Sequence, residues 1–215
     1  MIDIDELLAL GPVIPVIVVH RVADAVPLAE ALVAGGVRVL EVTLRTEAAL
    51  PAIEAIARSV PQAVVGAGTV RRAADVTAAS AAGCRFAVSP GYTPEVGAAC
   101  RAAALPLLPG VATATEVMQA SADGYRLLKF FPAEQAGGVA MLKALGGPFA
   151  DVRFCPTGGI SVQSAPQYLA LPHVPVCGGS WLTPVDALDA SDWPRVTALA
   201  RQAQALPRAW QPASR

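Results

Sequence analysis

The sequence alternates between two kinds of segment, and this alternation limits the folds open to the chain more than any other feature. Short apolar runs rich in β-branched residues recur eight times, and alanine-rich stretches with helical spacing separate them. The predicted strands are Val13–Val19, Val37–Leu44, Ala63–Ala67, Arg85–Ser89, Leu105–Pro109, Leu127–Phe131, Arg153–Thr157 and Val174–Cys177. The predicted helices include Val22–Ala34, Glu47–Ser59, Ala73–Ala82, Pro94–Ala104 and Thr113–Ala122, with Thr46, Thr93 and Thr113 or Thr115 as candidate N-terminal caps.

Strands that alternate with helices form right-handed βαβ units, and such units build a parallel sheet. Eight units in 215 residues predict an α/β protein with one (β/α)8 TIM-barrel domain spanning residues 1–215, with short helical extensions at both ends. A doubly wound open sheet is the alternative, but its glycine-rich fingerprint is missing after the first strand, where His20 and Arg21 stand. The barrel is therefore favoured, and its active site is expected at the C-terminal ends of the strands.

The composition excludes several classes of function. Hydrophobic residues make up 54% of the chain and charged residues 15%, so a large core can form. The net charge is −1 and the basic residues are scattered, which argues against binding to nucleic acid or to a membrane surface. The N-terminus does not resemble a signal peptide, and no apolar run is long enough to span a membrane.

The cysteines and histidines carry little sign of metal or triad chemistry. Four cysteines stand far apart without a CxxC pair, which predicts small buried thiols in a reducing cytoplasm. His20 and His173 are the only histidines, so a histidine-rich metal site or a catalytic triad is poorly supplied. We therefore expect a cytoplasmic protein without a zinc framework or a histidine-rich metal site.

Lys129 is unusual, because the chain contains only two lysines and this one stands between apolar and aromatic neighbours. An amine in an apolar pocket can lose its proton and attack a carbonyl carbon as a Schiff-base nucleophile. The structural alternative is a strand-end lysine whose ammonium group reaches the solvent. Lys143, within a predicted helix, is expected to have an ordinary surface role.

The second strand places a carboxylate within an apolar run. Period-two alternation puts Val39, Glu41, Thr43 and Arg45 on one face. A confined carboxyl group is a candidate general acid or base, and Arg45 could hold a substrate carboxylate with its two-pronged guanidinium. The alternative for Glu41 is a purely structural ion pair with Arg45.

Glycine-rich turns follow the seventh and eighth strands, as Gly158-Gly159 and Gly178-Gly179-Ser180. Small barrel enzymes commonly bind phosphate with these two loops, where glycine lets backbone N–H groups converge on the oxygens. The third, fourth and fifth strands end in weaker signals, because glycine and proline also end strands for packing reasons. With an amine, a carboxyl and an arginine, the turns favour a Schiff-base aldolase acting on a phosphorylated 2-oxo acid.

At this level of detail the sequence closely resembles the 2-keto-3-deoxy-6-phosphogluconate (KDPG) and 4-hydroxy-2-oxoglutarate (KHG) aldolase family. The resemblance runs in register from about residue 10 to residue 200. The matching segments are Val13-Ile14-Pro15-Val16-Ile17, Glu41-Val42-Thr43-Leu44-Arg45-Thr46, Val65-Gly66-Ala67-Gly68-Thr69-Val70, Ser89-Pro90-Gly91, Lys129-Phe130-Phe131-Pro132-Ala133-Glu134, Arg153-Phe154-Cys155-Pro156-Thr157-Gly158-Gly159-Ile160 and Gly178-Gly179-Ser180-Trp181.

The resemblance implies a class I aldolase that cleaves KDPG to pyruvate and D-glyceraldehyde 3-phosphate in the Entner–Doudoroff pathway, with a side activity on KHG. Lys129 would form the Schiff base and Glu41 would move protons. Arg45 and Thr69 would hold the substrate carboxylate, and Pro90 and Phe131 would line the pyruvyl pocket. Thr157 would contact hydroxyls. The phosphate would be received by Gly158, Gly159, Gly179 and Ser180.

The same resemblance implies a homotrimer that needs no metal. Two positions depart from the family pattern: the N-terminus is short, and His20-Arg21 stands where two basic residues are expected.

Three alternatives stay open at this point. A sister aldolase acts on the epimeric 2-keto-3-deoxy-6-phosphogalactonate, although its family tends to carry Ser-Pro-Asn and Lys-Leu-Phe-Pro where this chain has Ser89-Pro90-Gly91 and Lys129-Phe130-Phe131-Pro132. A metal-assisted aldolase needs clustered carboxylate or histidine ligands, and the inward strand faces offer mainly Glu41. A non-catalytic phosphosugar-binding barrel would use Lys129 only as a counter-ion.

Overall fold

The computed structural model describes residues 10–210, and its strands are all parallel where they pair. They are β1 (Val13–Ile17), β2 (Val39–Thr43), β3 (Val64–Gly68), β4 (Ala87–Val88), β5 (Leu107–Leu108), β6 (Gly110–Val111), β7 (Leu127–Phe130), β8 (Arg153–Pro156) and β9 (Cys177–Gly179). A six-stranded sheet has the order β5-β4-β3-β2-β1-β9, and a three-stranded sheet has the order β6-β7-β8. The α/β class with parallel strands is confirmed.

Helices connect successive strands, as the alternation predicts. They are α1 (Ala25–Ala34), α2 (Ala49–Ser59), α3 (Ala73–Ala81), α4 (Pro94–Ala102), α5 (Ala114–Ala122), α6 (Gly138–Gly146), α7 (Ala165–Leu169), α8 (Val185–Asp189) and α9 (Trp193–Gln204). A short 3-10 helix over Val22–Asp24 precedes α1. The predicted N-terminal extension lies outside the described residues. No helix in the described part of the chain is long and apolar enough to cross a membrane.

The predicted caps are confirmed at two helices and wrong at a third. Thr93 accepts a hydrogen bond from the backbone N–H of Val96 at the start of α4. Thr113 and Glu116 form a reciprocal capping box at the start of α5. At α2, however, the hydroxyl of Thr46 donates to the carbonyl of Val19, and the helix begins two residues later than predicted. Thr46 thus ties the β2–α2 loop to the end of β1.

Two strand boundaries also differ from prediction for physical reasons. The predicted fifth strand, Leu105–Pro109, is shorter in the structure, where it forms β5. Pro109 has no N–H to donate to a ladder, and it separates β5 from β6. The predicted eighth strand was placed too early, because Gly178 and Gly179 pair with Ile14 and Pro15 and so belong to β9. These glycines are therefore part of the sheet as well as of the turn that follows it.

Alternate residues of the strands face two different environments. Leu40 and Val42 of β2 pack with helices in an outer apolar cluster, whereas Val39 belongs to a cluster on the inner face of the curled strands. Strands of both sheets supply this inner cluster, which we call the apolar layer: Ile14, Val39, Val64, Phe86, Val88, Leu108, Leu127, Cys155 and Val176. Leu10 and Trp210 pack against it. Two residues further along the chain from Val39, Leu127 and Cys155, polar side chains replace the apolar ones.

Candidate active site

Lys129 and Glu41 form a buried ion pair on the inner face of the strands. The amine Nζ of Lys129 lies 3.2 Å from Oε1 of Glu41, and the side chains are 5% and 3% exposed. Glu41 of β2 thus pairs with Lys129 of β7, in the other sheet, and not with Arg45 as the structural alternative required. Lys143, in contrast, is exposed on α6.

Strand register explains why these two side chains meet above the apolar layer. Leu127 of β7 and Val39 of β2 both belong to that layer. Lys129 and Glu41 stand two residues further along their strands, so their side chains point to the same inner face at the next level. Strand alternation predicts this from the sequence for each strand, but the contact between the strands depends on the fold.

A glycine makes room for the carboxylate. Gly68 lies at the end of β3, beside β2, and a Cβ added there would stand 2.3 Å from Oε1 of Glu41. Any larger residue would push the carboxylate away from Lys129. The glycine that the sequence placed at this strand end therefore has a specific steric role.

Cys155 borders Lys129 in the strand register, but its thiol is not reactive near neutral pH. Burial raises the pKa of the Cys155 thiol to about 12, so near neutral pH it stays protonated. The four cysteines are buried and free, as predicted.

Arg45 and Thr69 form the next contact outward from the ion pair. The guanidinium Nε of Arg45 donates a hydrogen bond of 3.1 Å to Oγ1 of Thr69. Thr69 has a φ of 63°, in the left-handed region that threonine rarely adopts. Arg45 is exposed, so its remaining N–H donors face a place where a carboxylate could bind.

The two glycine turns lie at the ends of β8 and β9. Gly158 and Gly159 have φ values of 102° and 78°, which only glycine adopts without strain. Thr157 is buried and bridges to Gly178, so the turn after β8 is joined to β9. A Cβ on Gly178 would lie 2.3 Å from Oγ1 of Thr157, which shows how tightly the two turns approach each other.

A pocket of about 550 Å³ joins these groups. Eight of the predicted residues line it: Arg45, Lys129, Phe131, Thr157, Gly158, Gly159, Gly179 and Ser180. The Phe131 ring centroid lies 5.3 Å from Nζ of Lys129. Gly178, part of the turn predicted from the sequence, also lines the pocket. Val16, Val18 and Ile160 line it too and were missed, although the spacing of Val16 and Val18 at the end of β1 is a signal of one shared face.

Three predicted residues lie outside the pocket wall. Glu41 and Thr69 join the site through Lys129 and Arg45. Pro90 packs its backbone against Gly110 of β6, which pairs with Lys129, so it lies one strand away from the lysine. His20 and Arg21 line a neighbouring pocket, where Arg21 pairs with Asp24 at 2.8 Å.

The site resembles no metal centre in the part of the chain that the structure describes, since no group of three or more His, Cys, Asp or Glu side chains is close enough to hold an ion. Its reactive groups are an amine and a carboxylate, and both side chains are buried. An amine placed beside a proton carrier is the arrangement that carbonyl condensation requires.

Comparison with known proteins agrees with this chemistry. The family model described as KDPG and KHG aldolase matches residues 4–199. The chain belongs to the KDPG and KHG aldolase family. The KHG/KDPG aldolase of Escherichia coli K12 is 54% identical over 199 residues, covering 93% of each chain.

Two solved structures of the family are closely similar. The KDPG aldolase of Zymomonas mobilis ZM4, solved with 3-phosphoglycerate, has a TM-score of 0.92 and 50% identity, covering 97% of this chain and 99% of that one. The KDPG aldolase of Legionella pneumophila, with pyruvate captured as a covalent carbinolamine, has a TM-score of 0.91 and 47% identity, covering 94% and 98%.

Proposed function

We propose that this aldolase cleaves KDPG to pyruvate and D-glyceraldehyde 3-phosphate through a Schiff base on Lys129. The buried contact between Lys129 and Glu41 carries the proposal, because it places a nucleophile and a proton carrier within 3.2 Å. Membership of the family and the covalent pyruvate adduct of the Legionella relative support it.

In the first stage Lys129 passes a proton to Glu41, and the neutral amine attacks C2 of the substrate and forms a carbinolamine. Glu41 protonates the departing hydroxyl, water leaves, and a positively charged iminium results. Arg45, held by Thr69, binds the substrate carboxylate and so fixes which carbon meets the amine. Phe131 and the neighbouring apolar wall keep competing water out.

In the second stage the bond between C3 and C4 breaks. The C4 hydroxyl gives up its proton to the carboxylate of Glu41, the C4 oxygen becomes the aldehyde of glyceraldehyde 3-phosphate, and the electron pair moves into the iminium. The resulting enamine is protonated at C3 by Glu41, which restores the iminium. Water then adds at C2, the amine leaves, and pyruvate is released. Protons and electrons balance without a metal or a redox partner, and we propose that neither is needed.

The phosphate end is proposed to lie at Gly158, Gly159, Gly179 and Ser180. The left-handed φ values of Gly158 and Gly159 support this, since they free backbone N–H groups to turn toward the pocket. Thr157 is proposed to contact a substrate hydroxyl. KHG lacks the phosphate but shares the carboxylate and the 2-oxo group, so we also propose cleavage of KHG to pyruvate and glyoxylate.

A coupled assay tests this function. Purified protein should release pyruvate from KDPG in the presence of a chelator, and kcat/KM should be lower for the galactonate epimer. Ser180→Asp should raise KM for KDPG far more than for KHG, because the new carboxylate repels phosphate. Failure to release pyruvate from KDPG would contradict the proposal. A higher kcat/KM for the epimer would instead indicate a 2-keto-3-deoxy-6-phosphogalactonate aldolase.

We further propose that the two sheets are parts of one closed (β/α)8 barrel forming a single domain. The backbone N–H of Lys129 donates to the carbonyl of Pro109 at 2.8 Å, and the Thr157–Gly178 bridge joins β8 to β9. The apolar layer also draws its side chains from both sheets.

By the family resemblance we propose a homotrimer, with a cytoplasmic location suited to a phosphorylated metabolite. Light scattering coupled to size-exclusion chromatography tests the assembly. A mass of three chains is expected, whereas a monomer at working concentration would contradict it.

A further inference from the structure

Glu134 and Tyr168 lie outside the pocket wall but touch the segment that forms it. Glu134 follows β7 by four residues, and Tyr168 belongs to α7, the helix after the Gly158-Gly159 turn. The hydroxyl of Tyr168 donates a 2.7 Å hydrogen bond to Oε1 of Glu134. This bond joins the segment after Lys129 to the helix that follows the turn, and so it closes a ring around Gly158-Gly159.

The stem of Glu134 packs directly on the turn. A Cβ built on Gly159 would lie 2.6 Å from Cγ and 2.8 Å from Cβ of Glu134. The backbone N–H of Glu134 also donates to the carbonyl of Gly158 at 3.2 Å. Both glycines of the turn are therefore braced by one residue.

The carboxylate of Glu134 is directed away from the turn. Its Oε1 is held by Tyr168, and its Oε2 would lie 3.9 Å from a Cβ built on Gly138, at the start of α6. A carboxylate turned toward a bound phosphate would repel it, whereas this arrangement presents only the apolar stem to the turn. Tyr168 is itself 1% exposed, so its hydroxyl is fixed by packing.

Burial, followed by the bond to Glu134, raises the pKa of Tyr168 above its ordinary value. The phenol therefore stays protonated, and remains a donor, throughout the working pH range. The tie is made entirely within the protein and uses no substrate atom, so it can hold the turn ready before the substrate arrives.

We propose that the Tyr168–Glu134 hydrogen bond is a positioning device that holds the Gly158-Gly159 turn in the shape that binds the phosphate of the substrate. Neither residue touches the reacting atoms, and the device favours phosphorylated substrates over KHG. This inference rests on the proposed function for the identity of the substrate, and on the geometry alone for the role of the turn.

Three variants separate this role from a general structural one. Tyr168→Phe removes the donor but keeps the ring, and Glu134→Ala removes both the acceptor and the stem. Glu134→Gln keeps the stem and an amide oxygen that accepts from Tyr168. Tyr125→Phe is the matched control, since it removes a hydroxyl from a cluster with Tyr92 and Arg101 that does not touch the turn.

Steady-state kinetics on KDPG and KHG give the first readout. Tyr168→Phe and Glu134→Ala should raise KM for KDPG about tenfold, as expected for the loss of a hydrogen bond to a charged group. Their kcat on KDPG and their kinetics on KHG should stay near those of the unmodified protein, while Glu134→Gln and Tyr125→Phe should change neither. Equal losses on both substrates, an unchanged KM, or a Glu134→Gln variant that behaves like Glu134→Ala would overturn the proposal.

Binding of inorganic phosphate, followed by phosphorus NMR, gives a readout that does not depend on the substrate. Its dissociation constant should rise about tenfold in Tyr168→Phe, and an unchanged constant would overturn the positioning role. If the unmodified protein fails to cleave KDPG but Tyr168→Phe still weakens phosphate binding, the proposed function fails and the positioning role stands.

Discussion

The inner face of the strands has two levels, and the same strands build both. At the lower level β2, β7 and β8 contribute Val39, Leu127 and Cys155 to the apolar layer. Two residues further along stand Glu41 of β2, Lys129 of β7 and Thr157 just beyond β8, which form the polar level. A single step of the strand period thus separates residues that stabilise the fold from residues of the candidate site.

The ion pair depends on the apolar layer beneath it for the stability of the surrounding strands. A buried ion pair is a weak source of stability, because removing two charges from water costs about as much as their attraction returns. The apolar layer carries no such penalty, because burying its side chains lowers the free energy of the folded state. We therefore expect substitutions at the polar level to affect chemistry most and substitutions in the apolar layer to affect stability most.

The largest effect is expected at Lys129. Lys129→Arg keeps a positive charge beside Glu41, but a guanidinium does not form the Schiff base, so kcat should fall by at least about a thousandfold. Circular dichroism should show a folded protein. Retention of a tenth of the original kcat in a folded variant would contradict the division between the two levels.

Glu41→Gln should have the next largest effect. The amide keeps an acceptor within reach of Lys129 but no longer carries protons, so exchange of the methyl protons of pyruvate should slow by about a hundredfold or more. Proton NMR in deuterated water measures this rate. Exchange at the original rate would exclude Glu41 as the proton carrier.

Gly68→Ala tests the position of Glu41 without changing its chemistry. The new Cβ would displace the carboxylate from Lys129, and a misplaced catalytic group should lower kcat by about tenfold. Gly147→Ala is the control, because that glycine lies at the end of α6 with only one atom, the carbonyl oxygen of Ala144, within 4 Å of an added Cβ. Similar kcat values for both variants would argue against a steric role for Gly68.

Phe86→Leu tests the apolar layer, where the smallest effect on chemistry is expected. Phe86 is 1% exposed and its ring packs over Gly66, so the smaller side chain should lower the free energy of unfolding by about 1–2 kcal/mol. Chemical denaturation measures the loss. At a temperature where the variant is folded, its kcat should be nearly unchanged. A large fall in kcat would contradict the assignment of stability to the apolar layer and chemistry to the polar level.

The sequence predicted the parts of the molecule that depend on local pattern. Period-two alternation placed Glu41 on the inner face, and the apolar neighbours of Lys129 indicated its burial. Thr93 and Thr113 were correctly predicted as caps because their hydroxyls bond within the first helical turn.

What the sequence did not predict depends on contacts between distant strands. Thr46 failed as a cap because its hydroxyl reaches the carbonyl of Val19, which no local pattern encodes. The glycines of β9 were assigned to a turn because their pairing with β1 is set by the sheet. The partner of Glu41 was open for the same reason, since Lys129 stands 88 residues away in the chain.

Borohydride reduction in the presence of pyruvate tests the central claim most directly. It should fix the three carbons of pyruvate to Lys129, with Lys143 unmodified, and a chelator should not change the yield. Peptide mass spectrometry locates the adduct, and Lys129→Arg is the control that should give none. No adduct on the unmodified protein, or an adduct on Lys143 alone, would contradict the account.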